Sequence, residues 1–161
     1  MQLPDSAEVN VSRLSAVFSD ITNSYKFYWF LAILDSLKEN NQSVITLKDI
    51  ALRMVANVWY PLDFFKLSFG KQDRFKAIAD LISTRMVVDN TKNSPALFEQ
   101  LKVKLSQDDL HTVYGMVDER VRYVPYRFVR PFLNELIDVE DRGDNVKKAV
   151  IDISNNLTLP Y

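Results

Sequence analysis

The chain has 161 residues, of which 47% are hydrophobic and 25% charged, with one histidine, no cysteine and a formal net charge of −1. Such a chain can bury a real core in one domain or two small ones, and its charge exerts no long-range pull on nucleic acid or anionic lipid. The composition excludes disulfides and thiol nucleophiles, and it leaves His111 as the only imidazole for a triad or a zinc site.

Residues 1–8 lack the basic and apolar regions of a secretory signal. From Ser24 to about residue 39 the chain has helical periodicity, with Phe27, Phe30, Leu31 and Leu34 at i, i+3, i+4 and i+7. These four are the expected core face, and Tyr28 and Trp29 widen it. The apolar run 27–34 is far short of the ~20 residues that cross a bilayer, so no membrane partner is expected.

Thr46-Leu47-Lys48-Asp49 resembles a capping box, with Asp in place of Glu or Gln. The helix it opens should bury Ile50, Met54 and Val58 and stop near Tyr60-Pro61, because proline disfavours the α region for the residue before it. Residues 59–70 are then rich in aromatics: Trp59, Tyr60, Phe64, Phe65 and Phe69. Gly70-Lys71 is not part of a P-loop, because Phe65 stands where the earlier glycine belongs and Gln72 where a Ser or Thr belongs.

Residues 72–86 form the next expected helix, with Phe75, Ile78, Ala79 and Ile82 at core spacing. Residues 90–94 are a polar loop. Ser94-Pro95 then places a cap residue before a first-turn proline. Ser106-Gln107-Asp108-Asp109 is a second capping-box variant, opening a helix with Leu110, Val113, Tyr114 and Val117 on one side. Further helices are expected over 124–138 and 145–157, separated by a turn at 141–144. Only 43–46 and 86–88 qualify as strands, too short for more than a minor ribbon. Three glycines in the whole chain also argue against a sandwich or barrel. The expected fold is therefore all-α, a compact multi-helix domain spanning 1–161, with 90–94 the place where it would divide. The abrupt Leu159-Pro160-Tyr161 end leads us to expect a piece of a longer protein.

Four constellations carry candidate chemistry. The block Tyr25-Lys26-Phe27-Tyr28-Trp29-Phe30 could stack on bases, although aromatics at helical spacing usually pack. The aromatics of 59–69 could pack, or leave surplus apolar surface for a partner. Asp108-Asp109 and the acidic run 138–141 could hold Mg²⁺, but they fit a helix cap and a solvated turn better, so no metal or other cofactor is expected. In 119–132 four arginines, Arg120, Arg122, Arg127 and Arg130, alternate with Tyr123, Tyr126, Phe128 and Phe132. Arginine binds phosphate bidentately, and both residue types stack on bases. The bland alternative is a set of arginines lying over an aromatic core and pairing with Asp118, Glu119 or Glu135. Lys71 and Arg74 are weaker candidates for phosphate contact.

Three stretches carry a family likeness: 23–34 (NSYKFYWFLAIL), 59–73 (WYPLDFFKLSFGKQD) and 124–128 (VPYRF). On these the chain resembles the N-terminal region of bacterial HNH-family, restriction-like endonucleases. The resemblance implies a helical module that engages double-stranded DNA or positions a downstream nuclease domain; the absence of cysteine, separately, leads us to expect a cytoplasmic protein. The family's nuclease motif needs a histidine base and further His or Asn ligands to a divalent metal, and none of it maps onto this chain. No catalytic residue is therefore expected here. The alternative function is a helical protein-interaction or homodimerisation module without DNA contact.

Overall fold

A computed structural model of the chain describes residues 11–19, 24–40, 44–67, 74–89, 93–133, 148 and 150. Seven helices follow one another through these residues: α1 (Val11–Val17), α2 (Tyr25–Asn40), α3 (Leu47–Asp63), α4 (Phe75–Arg85), α5 (Ser94–Lys104), α6 (Gln107–Val121) and α7 (Val124–Leu133). Among the described residues there is no strand, so the fold is all-α. The two segments expected as a minor ribbon form no strand where described, at 44–46 and 86–88. The helix expected over 145–157 and the turn at 141–144 lie almost wholly outside the described residues.

The chain falls into two compact units, Met1–Thr22 with Tyr123–Tyr161, and Asn23–Arg122. Residues 90–94 lie within the second of these. In the larger unit α3 is the central helix, in contact with α2, α4, α5 and α6. Its position explains why Ile50, Ala51, Leu52, Met54, Val55, Ala56, Val58 and Trp59 are all buried, rather than the single face of Ile50, Met54 and Val58 that periodicity suggests. A helix packed on several sides is apolar nearly all round. Around it Phe75, Ile78 and Ile82 of α4, Leu97, Phe98 and Leu101 of α5, and Leu110, Val113, Val117 and Val121 of α6 complete the core. In the smaller unit α1 packs on α7. There the Phe18 and Phe128 rings meet edge to face at 6.1 Å, and Arg13 Nη1 donates to the Phe132 carbonyl at 3.2 Å.

The helix starts follow local chemistry. The hydroxyls of Thr46 and Ser106 each accept from the backbone N–H three residues on, Asp49 and Asp109, at 3.1 Å. Each hydroxyl also donates to that aspartate's carboxylate, at 2.7 and 2.6 Å. The cap of α5 lies one residue earlier than expected. Asn93, not Ser94, accepts from Ala96 N–H at 3.1 Å, and Pro95 occupies the second helical position, where its missing N–H still costs nothing.

Two expectations are corrected. Helix α3 does not stop at Tyr60-Pro61 but runs to Asp63. Pro61 removes only the bond to the Asn57 carbonyl, and the turn closes again as Phe64 N–H donates to Tyr60 O at 2.9 Å. On α2 the buried face is Tyr25, Trp29, Ala32 and Ser36. The expected core residues Phe27, Leu31 and Leu34 lie on the opposite side, 47%, 41% and 45% exposed, with Phe30 half-buried. Ala32 and Ser36 are small and buried, and Asp35 on the same helix accepts from Asn57 Nδ2 of α3 at 2.8 Å.

Candidate nucleic-acid interface

The arginine cluster is continuous in sequence but falls on two units. Arg120 and Arg122 end α6 in the larger one, and Arg127 and Arg130 stand on α7 in the smaller. Arg120 is half-buried, its Nε is sealed without a partner, and its Nη2 lies 3.7 Å from Glu119 Oε2. Its approach to Glu119 is one of the pairings that the bland alternative names. Arg122 is exposed, and its backbone N–H caps α6 through the Asp118 carbonyl at 2.9 Å.

Helix α7 begins where Tyr123 accepts the Arg127 N–H at 3.0 Å. Val124, buried at the start, and Phe128, against Phe18, lie on its packed face. Tyr123, Tyr126, Arg127 and Arg130 fall at i, i+3, i+4 and i+7 and therefore form one stripe along the helix. Tyr123 and Arg127 are exposed, and Tyr126 and Arg130 are half-buried. Helix α7 contains no carboxylate, and neither Arg127 nor Arg130 forms an ion pair among the described residues. The stripe offers two guanidinium groups and two phenol rings, a set that can hold phosphate oxygens bidentately while the rings stack. The two tyrosines belong to the sequence cluster, in which the arginines are the expected phosphate contacts. Counting helical spacing from Tyr123 would have found them.

Of the weaker candidates, Lys71 lies outside the described residues. Arg74 is exposed just before α4, where its backbone N–H donates to the Tyr25 hydroxyl at 3.2 Å. Its guanidinium pairs with no described residue.

The acidic candidates are engaged in folding. Asp109 takes the Ser106 hydroxyl and the Arg85 Nε at 3.1 Å, and Asp108 occupies the first turn of α6, where a carboxylate favours the helix dipole. The run 138–141 lies outside the described residues. Among the described residues no group of three His, Cys, Asp or Glu is placed to hold a metal ion. His111 is exposed on α6. No described helix is long and apolar enough to cross a membrane.

The aromatic stretch after α3 splits in two. Trp59 is core, whereas Tyr60 stacks on Phe64 at 5.1 Å and Phe65 meets both rings edge to face at 5.4 and 5.0 Å, with Phe64 and Phe65 each 59% exposed. Lys66 follows in the left-handed region, φ 51°. That backbone costs a non-glycine residue about 1–2 kcal/mol. Sequence spacing also gave no notice of Arg53, a cation almost wholly buried in α3. The only trace was a lone charge within an apolar run, Leu52-Arg53-Met54-Val55. Comparison with protein-family models, curated proteins and solved structures returns no match for this chain.

Proposed function

We propose that this chain is a non-catalytic module that engages double-stranded DNA through the α7 stripe, as the N-terminal helical region of a bacterial, cytoplasmic HNH-type nuclease would. The observation that carries the reading is the stripe itself: Tyr126, Arg127 and Arg130 on a helix without a carboxylate, with Tyr123 just before its start. The likeness of 23–34, 59–73 and 124–128 to that nuclease family supports it. Catalysis then belongs to a downstream domain, since one exposed histidine cannot serve as both base and metal ligand.

With a net charge of −1 the chain has no global field to add, so binding rests on local contacts. Two phosphates neutralised by the stripe give a salt slope of about −2 in log K against log salt. Fluorescence anisotropy with a labelled duplex at low and moderate salt tests this. Saturable, salt-sensitive binding that Arg127→Ala with Arg130→Ala abolishes is the expected result. Binding that is absent, or unchanged in the double variant, refutes it.

A second reading rests on a different observation, the exposed Tyr60–Phe64–Phe65 cluster. Aromatics left in water together mark protein-interaction surfaces. A salt-insensitive dimer in sedimentation, lost in Phe64→Ser with Phe65→Ser and without DNA affinity, would favour it.

A further inference from the structure

Helices α2, α3 and α5 of the larger unit enclose a cavity of about 190 Å³. Its floor is buried: Arg53 and Ser36 are 4% exposed and Phe98 is 2% exposed. Its rim is open, formed by Asp49, Glu99 and Lys102. The Arg53 guanidinium lies over the Phe98 ring, 3.9 Å from the centroid, and donates through Nη2 to Glu39 Oε2 at 2.5 Å. Its Nε is sealed and unpartnered, whereas Nη1 has no partner among the described residues and is not sealed. A guanidinium carries five donors, and this one uses a single nitrogen on protein. The sealed Nε cannot be reached from the cavity, so Nη1 is the nitrogen open to an arriving acceptor, and a hydrogen bond from a charged donor is stronger than a neutral one.

We propose that this cavity binds a small zwitterion of the α-amino-acid class, carboxylate inward on Arg53 and ammonium outward between Glu99 and Asp49. The argument is the order of charge from floor to rim. A cation alone meets the guanidinium at the floor. An anion alone must pass two carboxylates, and Lys102 is already drawn to Asp49 at 3.8 Å and to the Phe98 ring at 5.0 Å. A molecule with both charges satisfies both ends. Size agrees: the cavity of about 190 Å³ far exceeds the space that a single water needs, so a small solute fits. The Ser36 hydroxyl donates its proton to the Ala32 carbonyl at 2.8 Å, which leaves Arg53 as the floor's donor to the carboxylate.

The test is titration of the whole 161-residue chain, followed by ¹⁵N-resolved NMR, with glycine, L-alanine and L-serine, and with acetate and ethylammonium as one-ended controls. The expected result is saturable shifts centred on Phe98, Glu99 and Lys102 for the amino acids, with each control binding about ten-fold more weakly or worse. Arg53→Ala removes the floor donor and also a buried packing contact over Phe98, so Glu99→Gln, on the exposed rim, is the second variant. It should keep the fold and weaken amino-acid binding severalfold. The proposal is overturned if no amino acid gives saturable shifts up to tens of millimolar, if acetate binds as well as glycine, or if Glu99→Gln binds glycine like the parent chain.

Discussion

The guanidinium of Arg53 donates to Glu39 from a position that leaves the arginine 4% exposed and the glutamate 32% exposed, tying α3 to the last turn of α2. Removing either end is not equivalent. Glu39→Ala leaves a buried cation with one bond fewer and should cost about 1–3 kcal/mol. Arg53→Ala also leaves a void over Phe98 and should cost about 3–5 kcal/mol. Arg53→Met fills the space without a charge and should fall well below the alanine variant. Urea midpoints of the three variants check the order.

The face that α2 buries can be tested directly. Trp29→Ala should destabilise by about 3–5 kcal/mol, as large core truncations do. Leu31→Gln, on the opposite side, should stay within about 0.5 kcal/mol. Equal losses from the two variants in chemical denaturation would contradict the observed face.

The cap of α5 separates neighbouring residues. Asn93→Ala should cost about 1 kcal/mol by orphaning the Ala96 N–H, while Ser94→Ala should cost little, because Ser94 is already inside the helix. Thr46→Ala and Ser106→Ala should each resemble the Asn93 variant. Thermal unfolding of the set checks this.

The arginines should separate by role. Arg127→Ala and Arg130→Ala should each lower the DNA salt slope by about 1 without loss of fold. Arg120→Ala should leave the slope unchanged, since that side chain is half-buried beside Glu119. A slope altered by Arg120→Ala and not by Arg127→Ala would reverse the assignment.

Burial, and then the Asp49 carboxylate, push the Tyr114 hydroxyl above its ordinary pKa of 10.0. The folded chain therefore holds this proton when the unfolded chain has released it. The associated stability is complete below pH 10.0 and is lost as pH rises through the folded value. Tyr114→Phe should show a shallower decline in stability above pH 10.0, and Asp49→Asn should shift the tyrosinate absorbance of Tyr114 to lower pH.

Local chemistry was legible in the sequence. Thr46 and Ser106 cap because a hydroxyl three residues before an N–H can reach it in any chain. Phe75, Ile78 and Ile82 were found because α4 has one apolar stripe and one choice of inward face. Periodicity could not choose for α2, which is apolar on nearly every side. There the decision fell to how α2 packs on α3, which buries Tyr25, Trp29, Ala32 and Ser36. Nor could sequence proximity show that Arg120 and Arg122 belong to one unit and Arg127 and Arg130 to another. Caps and stripes depend on residues within a few positions of each other, and the sequence by itself determined them. Which face is buried, and which charge is sealed with it, depends on what packs from elsewhere in the chain, and only the tertiary structure decided that.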